Sequence, residues 1–438
     1  MLILYILVFL LILIINKNIK KGSTTLFDVH LLIGILYFSV WPILSSFSNN
    51  DSFEGVPVFI FLCTMITSLI FFNSLEEIQQ FKKISHYLRL HYYINLLRGS
   101  SEKYLIILYL LTFLSQLVIY SKFGVIKNYD TQALAQGQIT IPSFYLLLLS
   151  TIRYSLFLIL TGLFVKYIYT KRIRYVIAIC SIVPLIFLHG KAALVIAFVV
   201  LFIIYSTIRK RSLFCKGNFL IGFILGLFFL ISFNFFQTIR SGLISPSDMD
   251  GSSYDVIQSK IGTKSLSDML VFDDLVDVIA TRPSVDRFNK LVYKMQFQNS
   301  YESFLPLGRI FIYAHSMLIP RSIWNDKPRN DVQKYMLFPF YNQKYEVFQA
   351  PSVYGYIFAD FSILVIVLYP LLLFLLGLAT TYISFILPLP YRSWVSVTYL
   401  YNMLSIEANY DSYALILRNV LIFSIPLIIL YASKITKP

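Results

Sequence analysis

The residues best equipped for chemistry in this chain are cations placed where few charges belong. Arg153 stands mid-way along an apolar run, in STIRYSLF, and Lys191 stands in the tight turn HGKAA, which Gly190 permits. Arg240 directly follows an apolar run in FQTIRSG, Arg309 lies in a semi-apolar segment, and Arg321 and Lys327 lie in IPRSIWNDKPRN. A guanidinium presents paired donors that match phosphate oxygens. Several such cations converging at one membrane face could hold a diphosphate leaving group. They would stabilise the charge that develops as a sugar–phosphate bond breaks. Charges at membrane depth are costly and face a cavity or a partner. Arg153 therefore reads as half of an internal ion pair, as a snorkelling side chain, or as an anion-binding group in a polar cavity. Asp360, Glu407 and Asp411 are the acidic residues placed to pair with it.

The second half of the chain is also rich in aromatic residues, among them Tyr293, Phe297, Tyr301, Tyr313, Trp324, Tyr335 and Tyr354. Aromatic faces stack on sugar rings, but the belt of aromatics at a membrane interface has the same composition. Other chemistries are excluded by pattern. There is no phosphate-binding loop motif and hence no P-loop ATPase, and no HExxH or paired-cysteine metal site. Cys63, Cys180 and Cys215 are odd in number and lack paired spacing, so they read as structural. His30, His86, His91 and His189 are scattered, and only His315, in IYAHSM, lies near the cations of interest.

The elements that must position these residues follow from composition. The chain has 438 residues, of which 57% are hydrophobic and 13% charged; its mean hydropathy is +0.71. That is too little charge for a water-soluble surface, so a soluble enzyme, a disordered protein and a fibrous protein are excluded. Apolar runs long enough to cross a bilayer predict eleven spans, at 1–16, 27–46, 56–73, 103–121, 142–168, 174–188, 191–208, 217–236, 354–383, 393–408 and 413–433. The first run lacks a basic leader and a small-residue cleavage site, so it reads as a span rather than a removable signal.

The net charge is +15, but the basic residues sit in short connections and form no nucleic-acid motif. They set topology instead. One set of connections, containing Lys17, Lys20, Lys21, Arg98, Lys166, Arg174, Arg209 and Arg392 among others, holds nineteen Lys and Arg; the opposite set holds four. The rule that cytoplasmic connections are positive puts the N-terminus outside and the C-terminus in the cytoplasm. The expected fold class is an all-α polytopic membrane protein. It divides into 1–236 with spans one to eight, a large external loop at 237–353, and 354–438 with spans nine to eleven. The loop carries 13 Lys and Arg and 12 Asp and Glu. Its stretches SDMLVFDDLVDVIATRP and VDRFNKLVYKMQF have apolar residues at helical spacing, which predicts a partly helical subdomain. The semi-apolar run 303–319 reads as a helix lying on or dipping into the membrane edge.

Four features give the chain a resemblance to the bacterial O-antigen and capsular polysaccharide polymerases, the Wzy-type oligosaccharide repeat-unit polymerases. The span count and the single large loop match. The turn HGKAALV is similar to the family's GSR-type turn, with Lys191 where Arg is usual. The segment LIPRSIWNDKP, Leu318 to Pro328, resembles the family's IPR…W…KP element. The stretch VYGYIFADFSILVIV resembles the one in which a glycine and an acidic or polar residue open the next span. Arg240 also precedes Gly251 by a spacing seen in the family.

The resemblance implies a GT-C-like, metal-independent, inverting glycosyltransferase of lipopolysaccharide or capsule biosynthesis in the bacterial inner membrane, acting from the periplasmic side without a cofactor. Its substrates would be undecaprenyl-diphosphate-linked oligosaccharides and its neighbours membrane lipid, a chain-length regulator and a flippase, with no nucleic acid. Under it, Arg240, Arg321 and Lys191, then Arg153 or Arg309, would hold the diphosphate, with Lys327, Trp324 and Tyr354 on the substrate side. Asp360, Glu407 and His315 would partner the acceptor hydroxyl. Two alternatives stay open: the O-antigen ligase, which shares the architecture, and a flippase of lipid-linked sugars, for which internal repeats and an interior lined with charge would be expected.

Overall fold

The computed structural model describes residues 2–35, 55–78, 89–123, 143–187, 191–213, 352–387 and 392–396, with single positions and short pieces between them. The described chain is almost entirely helical. In order it forms α1 (Leu2–Lys21), α2 (Leu26–Ile35), α3 (Gly55–Glu77), α4 (Leu90–Gly99), α5 (Glu102–Phe123), α6 (Ser143–Thr170), α7 (Ile173–Phe187), α8 (Lys191–Arg209), α9 (Ser352–Phe361) and α10 (Val365–Ile386), with a 3₁₀ turn, Ser362–Leu364, between the last two. Among the described residues, five stretches can by length and composition cross a bilayer: α1, α3, α5, α6 and the run from α9 into α10. This is an all-α membrane protein. The expected spans 217–236 and 413–433, most of 393–408, and most of the loop 237–353 lie outside the described residues.

Side chains sort the helices by environment. On α5, Ile106, Ile107, Leu110, Leu111, Leu114, Leu117 and Val118 are exposed, as are Ile3, Ile6, Phe9 and Leu13 of α1. Apolar surface of this kind faces lipid, which satisfies it without a protein partner. By contrast every residue of α2 is buried, and so is the run Leu156–Leu160 of α6. α6 packs against α5 closely at Gly162, where an added Cβ would come within 3.2 Å of the Leu105 side chain. Hydroxyl residues within the spans turn back onto their own helix. Thr64 bonds the Ile60 carbonyl, Ser68 that of Thr64, Thr112 that of Leu108 and Thr161 that of Phe157. That is how polar side chains are accommodated where no water can reach them.

The basic connections gather at one face. Thr25 pairs with Arg89 in an isolated antiparallel bridge, and Leu90 N donates to Thr24 O. The Asn16 side-chain oxygen accepts from Ser212 and from Leu213 N, tying the end of α8 to α1. Arg174 donates to Glu102 at 2.8 Å, and Lys166 to the Arg98 carbonyl. Ser100 and Ser393 share a hydrogen bond, and Arg392 reaches back to the Phe385 and Leu387 carbonyls at the end of α10. Residues from 16–25, 89–103, 166–174, 207–213, 385–387 and 392–393 thus form one surface, as the alternation of basic and neutral connections predicts. α4 was not expected. It lies at this face, burying Leu90, Tyr93, Ile94 and Leu97 on one side, and burial pushes the Tyr93 hydroxyl above its usual range, with Tyr92 adding to the effect.

One expected span is corrected. The sequence reads 354–383 as a single crossing. The structure breaks it: Phe361 leaves helical geometry at φ −126° and ψ 4°, and Ser362 takes φ 53°. An unbroken helix would hold the Cα atoms of Tyr354 and Tyr369 about 22 Å apart, yet their ring centroids are 5.7 Å apart. The chain therefore bends sharply at the break and brings Tyr354 of α9 against Tyr369 of α10. With 22 residues, α10 is about 33 Å long and is by itself long enough to cross a bilayer. With 10 residues, α9 is about 15 Å long and is not. Composition does not reveal this, because the sequence is apolar on both sides of the break.

Candidate functional site

The break places Asp360 at the edge of the membrane domain away from the basic face. Phe385, at the other end of α10, meets Tyr87 and Arg392 at that basic face, so the Val365 end is a bilayer's thickness distant. Asp360 is only 5% exposed. Its Oδ1 accepts from Gly308 N at 3.1 Å and its Oδ2 from Phe311 N at 2.8 Å. Gly308 has φ 85°, a conformation that glycine adopts without cost, and Ile312 N then donates to Gly308 O to begin a helical turn. The carboxylate thus sits where the unpaired amides at a helix start need an acceptor, and its negative charge suits that end of the dipole.

A second clamp lies beside it. The Gln296 Nε2 donates to the carbonyls of Phe358 and Ala359, in the last turn of α9, at 3.0 and 3.2 Å. Gln296 belongs to the predicted helical stretch VDRFNKLVYKMQF, of which Val292–Lys294, Gln296 and Phe297 are helical as expected. The semi-apolar run 303–319 is helical at Phe311, Ile312 and Ser316, and the Phe311 ring meets the Phe361 ring edge-on.

The other candidate residues fall unevenly. Tyr354 is enclosed by Phe61, Phe358 and Tyr369; it packs the hairpin of α9 and α10 and offers no ring face to a sugar. Trp324 is exposed. Lys191 is the first residue of α8; its side chain lies outside the described residues. Arg153 lies on α6, with its Nε buried and without a hydrogen-bond partner among the described residues. Asp360, one of the partners the sequence offers it, directs its carboxylate to the two loop amides. Arg240, Arg309, Arg321, Lys327, His315, Glu407 and Asp411 lie outside the described residues.

Three interactions were not singled out from the sequence. Gln296 has no signal beyond its position in a helical stretch. His30, grouped there with the scattered histidines, is buried on α2 and shares a short hydrogen bond with the Tyr369 hydroxyl of α10; a histidine inside an apolar run was the available clue. The start of α2 is a reciprocal cap. Asp28 Oδ2 accepts from Thr25 N and Thr25 Oγ1, and Asp28 N donates back to Thr25 Oγ1. The spacing of Thr25 and Asp28 before an apolar run is the sequence signature of that motif.

Fold and site together define a polytopic all-α membrane protein with a broken helix pinned to its large loop. No protein-family model, curated protein or solved structure matches the chain.

Proposed function

We propose that this protein polymerises undecaprenyl-diphosphate-linked oligosaccharide repeat units into O-antigen or capsular polysaccharide, by inverting, metal-independent glycosyl transfer at the outer face of the bacterial inner membrane. In this reading the chain has about eleven spans in a GT-C-like arrangement, and the basic face is cytoplasmic. The observation that carries the reading is the clamp of Asp360 on Gly308 and Phe311. It ties the segment leading into Leu318–Pro328, the element that resembles the polymerases, to the membrane edge away from the basic face. A lipid-linked substrate enters sideways from the bilayer, so its diphosphate arrives at that edge.

The acceptor sugar hydroxyl attacks the anomeric carbon of the growing chain and displaces undecaprenyl diphosphate. Arg240, Arg321 and Lys191 hold the leaving diphosphate and stabilise its developing charge, with Arg153 or Arg309 assisting. Glu407 and His315 are the groups for the acceptor hydroxyl. The bond to the diphosphate supplies the driving force.

The test is a gel of surface polysaccharide from a deletion strain complemented with wild type, Arg240→Ala or Arg321→Ala. The expected result is collapse of the ladder to core bearing one repeat unit, restored by wild type and by neither variant, with each variant still present in the membrane. Bare core would point to the ligase or to an upstream block such as a flippase, and an unchanged ladder in the deletion strain would end the reading.

A further inference from the structure

We infer that the junction of α1 and α8 at the basic face is a binding site for anionic phospholipid headgroups, formed by Lys17, Lys20, Lys21, Lys210 and Arg211. The site requires only that the chain cross a membrane and is independent of the polymerase reading. The cations of this face fall into two groups. Arg174 pairs with Glu102, Lys166 donates to the Arg98 carbonyl, and Arg392 donates to the Phe385 and Leu387 carbonyls. Arg98, Lys171 and Arg209 lie over the rings of Tyr169, Tyr167 and Tyr205. Those charges are engaged within the protein. Lys17, Lys20, Lys21, Lys210 and Arg211 are all exposed, and their side chains have no carboxylate, carbonyl or ring partner among the described residues. Lys103 and Arg172 are exposed in the same way, but they stand on the connections joined by Arg174 and Glu102.

Two contacts draw the five together. The Asn16 side-chain oxygen, beside Lys17 in the chain, accepts from Ser212 Oγ and Leu213 N, just after Arg211. The Lys210 side chain lies over Gly22, just after Lys21, and a Cβ added at Gly22 would come within 3.4 Å of Lys210 Cε. α1 and α8 thus end side by side. Each helix end carries about half a negative charge, so the two together offset about one of the five positive charges. Glu76 and Glu77 end α3 near the same face, where Phe72 stacks on Phe27. A positive excess persists when both are set against the five. Like charges gathered in this way repel, and an anion between them relieves the repulsion.

The course of α1 selects the anion. Ile6, Leu10, Leu13, Lys17 and Lys20 are exposed at helical spacing, so the two lysines continue the stripe that faces lipid. From Ile3 to Lys20 the helix rises about 26 Å, close to the hydrocarbon thickness of about 30 Å. Lys17 and Lys20 therefore stand at headgroup level on the lipid side of the helix. The phosphate in reach there belongs to a phospholipid whose acyl chains cover Ile6, Leu10 and Leu13. A basic cluster at the end of a membrane helix favours the anionic lipids over the zwitterionic ones.

The test is native mass spectrometry of the full-length protein in detergent, titrated with phosphatidylglycerol or phosphatidylcholine of the same acyl chains. Wild type should bind phosphatidylglycerol about tenfold more tightly, and added salt should narrow the difference. Lys20→Gln with Arg211→Gln should lose most of the preference while phosphatidylcholine binding is unchanged. Lys20→Arg with Arg211→Lys should keep it. Lys103→Gln with Arg172→Gln removes the same charge from the same face and should keep it too. Equal binding of the two lipids by wild type would overturn the inference. So would an equal loss in the two glutamine pairs, which would spread the preference over the whole face. Displacement of phosphatidylglycerol by an equal concentration of inorganic phosphate would also overturn it, because the ligand would then be a soluble anion.

Discussion

The two faces of the membrane domain are held by different means. At the basic face, helices end in short-range motifs. α1 ends with Gly22 at φ 71°, Gly22 N bonding Ile19 O and Ser23 N bonding Asn18 O. α8 repeats the pattern with Lys210, where Lys210 N bonds Thr207 O and Arg211 N bonds Ser206 O. These are the paired bonds that close a helix C-terminus, and the basic residues beside them complement its dipole. At the opposite edge the corresponding groups are satisfied from far along the chain. Asp360 caps a turn at Gly308, and Gln296 serves the carbonyls of Phe358 and Ala359. Ser362 takes left-handed φ there without being glycine, as Lys171 and Lys210 do at the basic face. The basic face adds to these local caps bonds between its connections, such as Asn16 with Ser212 and Arg174 with Glu102. An edge held by distant side chains has a geometry that depends on where those segments sit.

The contrast can be broken first at the basic face. Asp28 is buried and accepts from Asn18, from Thr25 N and from Thr25 Oγ1. Asp28→Ala removes a charged acceptor and leaves those donors unpaired, and should cost about 3 kcal/mol. The check is a fall in melting temperature in detergent micelles, larger than that of any single hydroxyl deletion at this face.

The core that joins the two faces comes next. His30→Leu leaves the Tyr369 hydroxyl without its imidazole partner and should cost about 2 kcal/mol. Because the two groups share one bond, the double variant His30→Leu with Tyr369→Phe should lose less than the sum of the single losses. Strict additivity in the same thermal measurement would count against the bond.

The smallest effect sharpens the comparison. Ser362→Gly removes a left-handed strain and should stabilise by about 1 kcal/mol or less, whereas Ser362→Val should destabilise. Equal melting temperatures for the two would show that the turn is not strained. The same glycine substitution at an ordinary helical position of α10 would be destabilising.

Much of this architecture is legible in residue order. The apolar runs place most of the helices within a few residues, because a bilayer demands a fixed length of apolar helix. The asymmetry of Lys and Arg predicts which connections share a face, and contacts such as Arg174 with Glu102 and Asn16 with Ser212 join those connections. The helical stretch that holds Gln296 was expected from periodicity. The break at Ser362 was not, because VYGYIFADFSILVIV is apolar on both sides of it and a serine there carries no turn signature. Asp360 stood out as a charge near the end of a span, but its role depends on amides at Gly308 and Phe311, about fifty residues earlier in the chain.

Sequence alone therefore determined the class of protein, its lengths of helix and the face on which its basic residues collect. Each of those follows from the average chemistry of a segment and from the solvent around it. Only the tertiary structure decided that one expected span is broken at Ser362 into two helices, that Tyr354 is packed among Phe61, Phe358 and Tyr369, and that Asp360 accepts from the Gly308 and Phe311 amides. Those outcomes turn on which distant donor finds which acceptor, and in a bilayer every backbone group freed from a helix must find one.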